Sequence, residues 1–437
     1  MAVIRLPFTV DSSLAVEVPE ERLAWVADYG RAKRPFSTDE ETIREALAHP
    51  IGAPPLRELA GPDKTVAVMV DDVTRPTPVP LLLPHVLREL SAAGVSPSNV
   101  RVVIAVGTHR VLTDAEIRQR CGLLSPKVEV LCIHHTQLDK FVDIGQGVGG
   151  EPIVVLKAVF EADLKIGIGN IVPHMYAGWG GGAKIIQPGV CAQVTTEFTH
   201  TLGVLNDSVL NLCTNPENIV RREMESIAAA VGLDFIVNTV LDQDKGIVNV
   251  FAGHYIEAHR AGVALAEQIY RPTIPELADV VVTTAYPSHL DYRQGIKALI
   301  HAQYGVRPGG VVILAMAAPE GLAGGDEAHS EAISVWGPQS EQTIRQAILE
   351  RKPSDLIAAA FALCHRQMLD RARVICLSEG IDQDTLSRLG FVPTASIGSA
   401  LERAEEMVGR EARIGVVTSA GCVVRCQQEM RQNGGGH

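Results

Sequence analysis

A glycine-rich segment with one lysine is the strongest local signal for chemistry in this sequence. Residues 174–189 read HMYAGWGGGAKIIQPG, so that Gly180, Gly181 and Gly182 stand just before Lys184. Glycines let a backbone take positive φ and approach a ligand closely, and successive N–H groups in such a loop can hold a phosphate. The segment is neither a Walker A loop nor the G-x-G-x-x-G of dinucleotide sites. On the residues alone, Lys184 is equally well a nucleophile for a cofactor or a counter-charge for a phosphate.

Polar residues also follow the predicted strands at the point where each strand ends. They are Asp71, Asp72, Thr74 and Arg75 after VAVMV, Thr108 and His109 after VVIAV, His174 after the strand that ends near Gly169, and Tyr286 after VVVTT. Ligand sites of open α/β sheets form beyond the carboxyl ends of the strands. Each residue has an ordinary structural explanation, such as helix capping by Asp72. Their recurrence at four strand ends nevertheless favours a site along one rim.

These residues need a scaffold in which strands and helices alternate. The predicted strands are Val66–Val70, Val102–Val106, Val128–Ile133, Leu164–Gly169, Val280–Thr284, Val311–Met316, Val374–Leu377 and Ile414–Thr418. Helices are predicted over 80–93, 294–303 and 400–408, with a Ser37/Glu40 capping box before one helix and Pro216 in the first turn of another. The pattern predicts an α/β protein of two domains, each a mostly parallel sheet flanked by helices, with the active site in the interdomain cleft.

The predicted domain boundaries follow from a proline-containing stretch at 270–277. The N-terminal domain, 1–272, would bind the cofactor and carry catalysis, joined by part of 405–437. The second domain, 273–404, would close over the substrate. A length of 437 residues suits two or three domains.

Composition excludes several classes of protein. The formal net charge of -12 disfavours nucleic-acid binding, which needs a basic surface. We expect a cytoplasmic protein without a membrane span, because the first residues lack a signal-peptide apolar region and no long apolar run occurs. The eight cysteines are scattered, and only Cys422 and Cys426 lie close together. Without a second short-spaced pair, reduced thiols are expected rather than a zinc site.

Four ordered motifs together resemble the nickel-pincer lactate racemase family. They are DDVTRPTP from Asp71, GTHR from Gly107, the segment HMYAGWGGGAKIIQPGV followed by Thr199 and His200, and Tyr286-Pro287 followed by Gln294 and Lys297. They stand in the family's order and close to its spacing over residues 70–300, and the general organisation extends the resemblance to nearly the whole chain.

The resemblance implies a cofactor made from nicotinic acid, a mononucleotide with two sulfur donors and a carbon bonded to nickel. Lys184 would carry it through a thioamide, and His200 would be the protein ligand to nickel. Two sulfurs, one carbon and one imidazole suit four-coordinate Ni(II). The motif residues Thr74, Thr108, Gly180, Gly181 and Gly182 would also bind it. Separate maturation proteins would be partners, beside a small 2-hydroxy acid.

The implied reaction is racemisation or epimerisation at C2 of that acid by hydride transfer. His109 and His174 match the family's two bases, which remove the hydroxyl proton from either enantiomer. Arg75 and Lys297 would hold the carboxylate and the developing oxyanion. Asp72 would orient a partner, either Arg75 or the hydroxyl, and Gln294 would hydrogen-bond the substrate or close the cleft.

The sequence departs from the family pattern at a few positions. Gly180 stands where Ser is common, and we expect it to keep the loop flexible. His289, Asp291 and Arg293 stand where Asp, Asn and Tyr are often found. Arg293 would add a fixed positive charge near the pocket. His289 and Arg293 are therefore predicted to set specificity, with a larger, dicarboxylic or sugar acid as an alternative to lactate.

Three other interpretations compete with this resemblance. A pyridoxal-phosphate enzyme could use Lys184 as its Schiff base. A nicotinamide-dependent dehydrogenase would need a glycine fingerprint after a strand, which is not found. A cofactor-free paralogue that binds hydroxy acids belongs to another class, and the joint presence of Lys184, His200, His109 and His174 argues against it.

Overall fold

The computed structural model describes residues 1–30 and 38–428. Its strands are β1 (Ala2–Pro7), β2 (Ser13–Val18), β3 (Leu23–Ala27), β4 (Val66–Asp71), β5 (Val100–Ala105), β6 (Glu129–Leu131), β7 (Phe141–Gln146), β8 (Pro152–Leu156), β9 (Leu164–Asn170), β10 (Pro173–His174), β11 (Gly178–Trp179), β12 (Phe235–Leu241), β13 (Ile247–Gly253), β14 (Thr273–Ile274), β15 (Ala278–Thr284), β16 (Val306–Met316), β17 (Arg373–Ser378), β18 (Val392–Thr394), β19 (Ile414–Val417) and β20 (Arg425–Cys426).

The helices alternate with these strands. They are α1 (Asp39–Ala48), α2 (Leu56–Leu59), α3 (Val79–Ala92), α4 (Asp114–Cys121), α5 (Lys157–Phe160), α6 (Gln193–Asn206), α7 (Val209–Leu212), α8 (Ile219–Val231), α9 (Glu257–Tyr270), α10 (Tyr292–Ala302), α11 (Glu327–Trp336), α12 (Glu341–Leu349), α13 (Leu356–Arg371), α14 (Gln383–Arg388) and α15 (Ile397–Val408). Short 3-10 turns cover Pro97–Asn99, Leu138–Lys140 and Gly182–Ile185. In the described part of the chain, no helix combines the length and the apolar character needed to cross a bilayer.

The chain divides into two compact units. One unit, here called the central unit, comprises Arg31–Leu202 and Thr214–Glu267. The other, the terminal unit, comprises Met1–Gly30, Gly203–Cys213 and Gln268–His437. The predicted domains, 1–272 with part of 405–437 and 273–404, differ from these units at both chain ends, because β3 pairs with β19 in the sheet of the terminal unit. The predicted division into a cofactor-binding domain and a substrate-closing domain stays a prediction.

The central unit is built on a mostly parallel sheet with strand order β13-β12-β9-β4-β5-β6. Only the β12–β13 pair is antiparallel. The apolar run Val66–Val70 is fully buried, as expected for a strand covered on both faces. In the parallel register Asp71 pairs with Ala105, and Val70 pairs with Ile168, so β4, β5 and β9 end at one rim of the sheet.

The terminal unit contains a parallel sheet with strand order β18-β17-β16-β15-β19-β3. The antiparallel β1–β2 hairpin and α15 cover one face, where Leu6, Val16 and Ala400 join the core formed by β15, β16 and β19. The predicted α/β class with two mostly parallel sheets flanked by helices is confirmed.

Several predicted elements are confirmed, and others need correction. Each predicted strand is present, with ends shifted by up to five residues. The Ser37 capping prediction falls on a residue outside the described ranges, and the observed capping box is formed by Thr38 and Glu41. The prediction for Pro216 is wrong, because α8 begins at Ile219 with Asn218 as its N-cap. Residue 216 instead lies in the turn before it.

A pair of buried carboxyl groups joins the β7–β8 hairpin to α8. Glu151 follows the glycine-rich turn of the hairpin and is 3% exposed, while Glu223 on α8 is 7% exposed. Neither Oε atom of Glu151 has a hydrogen-bond donor among residues 1–30 and 38–428. The two carboxyl groups face each other, and burial together with Glu151 raises the pKa of Glu223 to about 8, against a lowering by the N–H of Val148. Glu223 therefore keeps its proton at neutral pH.

The free energy of unfolding should fall as the pH rises, because of this pair of carboxyl groups. A carboxyl group whose pKa rises on folding holds its proton more tightly in the folded chain, so its contribution is full below its ordinary pKa of 4.5 and is lost as the pH rises towards about 8. Glu223→Gln should remove this decline. Urea unfolding at about pH 6 and about pH 9 measures it, with the exposed Glu161→Gln as the matched control. An equal decline in Glu223→Gln and the parent protein would contradict the raised pKa of Glu223.

Candidate active site

The end of β4 places a carboxylate against a histidine from the loop after β5. Asp72 is 3% exposed, and its Oδ2 lies 2.6 Å from Nδ1 of His109. Burial alone would raise the pKa of Asp72, but His109, Arg75 and the Thr74 hydroxyl together hold it well below its usual range. The carboxylate therefore accepts Nδ1–H of His109, and the lone pair of this ring lies on Nε2. We predicted that Asp72 orients either Arg75 or the substrate hydroxyl. Its main partner in the structure is instead His109.

Thr74 and Arg75 complete this rim. The N–H of Thr74 donates to Oδ1 of Asp72 at 2.9 Å, and its hydroxyl donates to the same oxygen at 2.5 Å. Nη1 of Arg75 lies 3.3 Å from the Thr74 hydroxyl, and the side chain is half-buried. Thr108 is half-buried beside His109. The arrangement keeps a cation next to the Asp72–His109 pair, where it can bind a carboxylate.

A buried arginine fixes the loop that carries these residues. Arg120 on α4 is 8% exposed and donates to the carbonyls of Asp71 at 2.7 Å, Thr77 at 2.9 Å and Arg75 at 3.2 Å. It also pairs with the Asp71 carboxylate, which accepts the hydroxyl of Thr77 at 2.6 Å. Because these bonds span the loop from both ends, the position of Arg75 is set by a residue outside the motifs.

The carbonyls of the glycine-rich loop are held by α8 and α9. Arg221 is fully buried and donates to the carbonyls of Ala177 at 3.1 Å and Gly181 at 3.1 Å, and also to that of Trp179. Burial lowers the pKa of Arg221 to about 10. Nε2 of His259 donates to the carbonyl of Gly180 at 2.8 Å. The loop is therefore rigidly attached on its carbonyl side.

The same geometry limits the predicted phosphate cradle. The N–H of Gly180 donates to the carbonyl of Val172 at 2.7 Å, and the N–H of Gly182 donates to Oδ1 of Asn238 at 2.7 Å. A nest for an anion needs such groups pointing outwards. The sequence interpretation of successive loop N–H groups as a phosphate cradle is therefore wrong for Gly180 and Gly182, which serve to shape the loop.

Positive φ explains the two later glycines of the run. Gly181 has φ 73° and Gly182 has φ 61°, and an added Cβ at Gly181 would meet Oδ1 of Asn238 at 2.6 Å. Gly180 does not have positive φ, and a Cβ there would lie 3.0 Å from the carbonyl oxygen of Asn170. Both the N–H and the C=O of Gly180 are hydrogen-bonded. The expectation that Gly180 keeps the loop flexible therefore does not match its fixed surroundings.

Lys184 lies directly after this fixed run. It belongs to the 3-10 turn Gly182–Ile185, its N–H donates to the carbonyl of Gly181 at 3.3 Å, and its side chain is half-buried. The segment after Lys184 reaches the end of β5, where the N–H of Gly107 donates to the carbonyl of Gly189 at 3.0 Å. The loop that carries Lys184 and the loop that carries His109 are thus joined.

His174 and His200 lie on either side of Tyr176. The rings of Tyr176 and His200 are 4.8 Å apart in an edge arrangement, and those of His174 and Tyr176 are 6.3 Å apart. Nδ1 of His200 on α6 lies 2.9 Å from the carbonyl oxygen of Thr196. Because a carbonyl only accepts, Nδ1 carries the proton, and Nε2 of His200 carries the lone pair that a metal ligand needs.

The remaining predicted residues lie in the terminal unit, after β15 and on α10. Asp291 caps α10 by accepting the N–H of Gln294 at 2.7 Å. Nζ of Lys297 donates to Oε1 of Gln294 at 2.6 Å. This contact confirms that the two side chains share a helix face, and it turns the amide oxygen of Gln294 towards the ammonium group.

The two predicted specificity residues are both held within the terminal unit. His289 is 7% exposed, and its ring lies 5.2 Å from that of Tyr286. The side chain of Arg293 is 14% exposed, so it does not point to solvent, and Nη1 lies 3.8 Å from Oδ2 of Asp326. The charge of Arg293 also helps to lower the pKa of Asp355. Part of the charge predicted for the pocket is therefore balanced by carboxylates of the same unit.

Comparison with known proteins identifies the family. The sequence-family model for the lactate racemase N-terminal domain matches residues 10–211. The family model for the lactate racemase C-terminal domain matches residues 274–424. The chain belongs to the lactate racemase family. The lactate racemase of Thermoanaerobacterium thermosaccharolyticum is 28% identical over 97% of this chain and 99% of its own length. That of Lactiplantibacillus plantarum is 29% identical over 87% of this chain and 89% of its own length.

Solved structures agree with this assignment to the lactate racemase family. The lactate racemase apoprotein from T. thermosaccharolyticum matches with a TM-score of 0.87 and 27% identity over 97% of this chain and 100% of that one. A protein from Thermotoga maritima matches with a TM-score of 0.72 and 18% identity over 90% of this chain and 100% of that one, which supports the fold alone.

The residues around the loop fit the cofactor that the lactate racemase family resemblance implies. Asn170 at the end of β9 is 2% exposed, and its Nδ2 has no hydrogen-bond acceptor within 1–30 and 38–428. Oγ1 of Thr239, its neighbour in the sheet, is likewise unpartnered in those ranges. Buried polar atoms of this kind normally find a partner, so a polar ligand suits this rim. Across the same ranges, no group of three or more His, Cys, Asp or Glu could hold a metal.

Sequence reasoning missed the buried residues that shape this lactate racemase site. Arg120, Asn218, Arg221, Asn238 and His259 all contact loop backbone and stand outside the motifs. No sequence signal marked Arg221, because α8 also buries two other charged residues, Glu223 and Glu225. The structure joins Asp72, Thr74, Arg75 and His109 in one group and His174 and His200 around Tyr176 in another. It places Gln294, Lys297, His289 and Arg293 in the terminal unit.

Proposed function

We propose that this chain is an isomerase that racemises lactate or a closely similar 2-hydroxy acid at C2, with a nickel-pincer nucleotide as its cofactor. The observation that carries the proposal is the Asp72–His109 pair on the rim that also bears the Lys184 loop. The names of the two relatives support lactate as the substrate. Proteins that make and insert the cofactor would be its partners.

Lys184 and His200 would hold the cofactor. Lys184 offers the amine for a thioamide link, and His200 offers Nε2, since its Nδ1–H is bound to Thr196. When bound, the cofactor would accept the hydrogen of C2 as a hydride and return it. Thr74, Thr108 and Gly181 are proposed as further contacts.

The side chains of the rim would bind and deprotonate the substrate. His109 presents the lone pair of Nε2 to a hydroxyl, and the resulting imidazolium is stabilised by Asp72 at 2.6 Å. Arg75 is proposed to bind the substrate carboxylate, because a guanidinium binds a carboxylate through two parallel hydrogen bonds. His174 is proposed as the base that meets the hydroxyl of the other enantiomer.

Lys297 and Gln294 are proposed to act on the same substrate because they match the fourth family motif. Their mutual bond at 2.6 Å would hold the ammonium group ready for a carboxylate or an oxyanion. The proposal of a larger, dicarboxylic or sugar acid rests on Arg293 and His289, and the balancing of Arg293 by Asp326 weakens it.

Intact mass after expression with nickel and a pincer-maturation system tests this function. The parent chain should gain the mass of the cofactor, while Lys184→Ala should gain none because the amine is missing. The protein loaded with cofactor should then interconvert the enantiomers of lactate. Turnover of malate and of sugar acids measures its substrate range. Expression of a known lactate racemase with the same system is the control.

The alternatives predict different outcomes of that experiment. An unmodified parent chain, with the control loaded, would favour a cofactor-free binding protein. A mass gain removed by hydroxylamine would favour a pyridoxal-type imine on Lys184. A gain that persists in Lys184→Ala would contradict the anchor.

A further inference from the structure

Gly181 and Lys184 form the open side of an otherwise buried loop. Between Met175 and Gln187 these two residues are partly exposed, and the others are buried. Gly181 stands directly before the 3-10 turn that contains Lys184, and its carbonyl accepts the N–H of Lys184 at 3.3 Å. Residues three apart on such a turn lie one above the other, because a 3-10 helix has three residues per turn. The side chain of Lys184 therefore leaves the loop on the side where Gly181 is exposed.

The N–H of Gly181 differs from those of the two glycines beside it. The N–H groups of Gly180 and Gly182 are bonded to Val172 and Asn238. Within residues 1–30 and 38–428, no carbonyl and no side chain accepts the N–H of Gly181. The three glycines look alike in the sequence, but the fold keeps one of their three donors available to a ligand.

His259 on α9 sets the direction of this N–H. Nε2 of His259 lies 2.8 Å from the carbonyl oxygen of Gly180, and the ring is fully buried. The C=O and the N–H of one planar trans peptide point in opposite directions. Because the Gly180 carbonyl is held at His259, the N–H of Gly181 points away from α9.

Arg260 fixes which nitrogen of His259 carries the proton. Nη1 of Arg260 lies 3.0 Å from Nδ1 of His259, while its other nitrogens pair with Glu217 at 2.6 Å and Glu225 at 3.0 Å. A guanidinium donates and does not accept, so Nδ1 of His259 is the acceptor and Nε2 carries the proton. Burial and the charges of Arg221 and Arg260 hold the pKa of His259 well below its usual range, so the ring stays neutral. His259 is therefore a permanent donor at Nε2.

We infer that His259 is a positioning residue for cofactor binding, because it presents the N–H of Gly181 as a hydrogen-bond donor to an acceptor atom of the group on Lys184. The inference rests on the proposed function, in which Lys184 carries a nucleotide with sulfur and phosphate acceptors. It adds a donor that needs no side chain and is in place before the cofactor arrives. A donor fixed in advance costs no ordering when the ligand binds, so His259 should favour loading of Lys184.

Glycine-selective NMR of the loaded protein measures this single N–H. Glycine labelled with carbon-13 at the carbonyl and nitrogen-15 at the amide selects amides that follow another glycine, which include Gly181 and Gly182. Gly180→Ala assigns Gly181, whose amide then no longer follows a glycine. The amide proton of Gly181 should move downfield on loading, whereas that of Gly182, already bonded to Asn238, should move little. An unmoved Gly181 signal in the loaded protein would overturn the inference.

Hydrogen exchange in the apoprotein tests the direction of the N–H without any cofactor. The N–H of Gly181 should exchange quickly, because it has no acceptor in the described ranges, and that of Gly182 should exchange slowly, because its bond to Asn238 is buried. Equally slow exchange of both would place the Gly181 N–H inside the protein and overturn the inference. A parent chain that takes up no cofactor would reject the proposed function, while these exchange rates would still test the geometry.

Variants of His259 separate its donor from its buried ring. The amide nitrogen of Gln reaches about the place of Nε2, so His259→Gln keeps a donor to Gly180, whereas that of Asn reaches only the place of Nδ1. His259→Asn should load Lys184 about tenfold more slowly, the effect of one hydrogen bond, and His259→Gln should recover most of the parent rate. His365→Asn is the matched control, because His365 is also fully buried and donates to the carbonyl of Leu389 at 2.7 Å.

Intact mass over time measures loading, at a temperature at which each variant keeps the parent circular dichroism. His365→Asn should load at about the parent rate even where it lowers stability, because its bond lies in the terminal unit. Equal loading of His259→Asn and His259→Gln, both folded, would reject His259 as a positioning residue. If His259→Asn does not fold, the Gly181 signal of the loaded parent and its exchange rate in the apoprotein decide the inference.

Discussion

Asp72→Asn should lower kcat by about 10³–10⁴-fold while leaving the protein folded. In the Ser-His-Asp hydrolases, which the same kind of exchange disables by about 10⁴-fold, the amide changes the tautomer of the neighbouring histidine. The Thr74 N–H keeps an acceptor at Oδ1, so the introduced amide would present its N–H to Nδ1 of His109, which lies 2.6 Å from the carboxylate in the parent. Nε2 would then carry the proton and could not take one from the substrate.

Steady-state turnover of the loaded variant measures this loss, and circular dichroism checks the fold. Thr77→Val is the matched control, because it removes a hydroxyl donor to the neighbouring Asp71 carboxylate and leaves Asp72 and His109 unchanged. It should cost far less than Asp72→Asn. Equal effects of the two variants would show that Asp72 merely shapes the loop.

The depressed pKa of Asp72 adds a condition on pH. Its pKa is lowered by His109, Arg75 and Thr74 in spite of burial, so this carboxylate stabilises the fold above its ordinary value of 3.8. That contribution to stability is lost only when the pH falls below 3.8, towards the lower pKa that Asp72 has in the folded protein. Asp72 therefore stays charged throughout the range in which imidazoles titrate, and loss of activity near pH 6 should not arise from this group.

Arg221→Met should lower the free energy of unfolding by about 3–5 kcal/mol, the range for breaking a buried charged network. Arg221 is fully buried and supplies the donors for the carbonyls of Ala177, Trp179 and Gly181. The methionine fills most of the volume but leaves three buried carbonyls without that donor. Each unpaired group costs about 1–3 kcal/mol, less whatever water recovers.

Urea unfolding measures this change, with Arg222→Met as the matched control. Arg222 is the next residue of α8 and is exposed, so its removal should cost within about 0.5 kcal/mol. The amount of cofactor on Lys184 gives a second measurement, since a loosened loop should load less even below the unfolding midpoint. Arg221→Met with the parent free energy of unfolding would contradict the buried network.

The sequence predicted those features that depend on local pattern. An apolar run such as Val66–Val70 is short and rich in β-branched residues, which favours a buried strand, and the polar residues after it then fall at the rim. The pairing of Asp72 with His109 was not predicted, because it joins loops 37 residues apart in the chain. A sequence lists Asp72, Arg75 and His109 but does not show which pair is in contact.

The buried supports of the loops were beyond sequence reasoning for the same reason. Arg221 contacts Trp179 across 42 residues, and His259 contacts Gly180 across 79. Arg120 looks like a surface residue of a polar helix until the fold encloses it. Such polar groups are recognised only when their buried partners are known, whereas glycines and strand ends carry a local signature.

The parallel pairing of β3 with β19 has a consequence for how the chain is made. Ala27 and Thr418, which meet through the Thr418 hydroxyl, are 391 residues apart. At about 5–20 residues per second, the ribosome needs on the order of 20–80 s between them, during which β3 has emerged without its partner. The sheet of the central unit lies wholly between residues 66 and 253 and can close first. Until β19 has been synthesised, β3 is therefore open to proteases and chaperones.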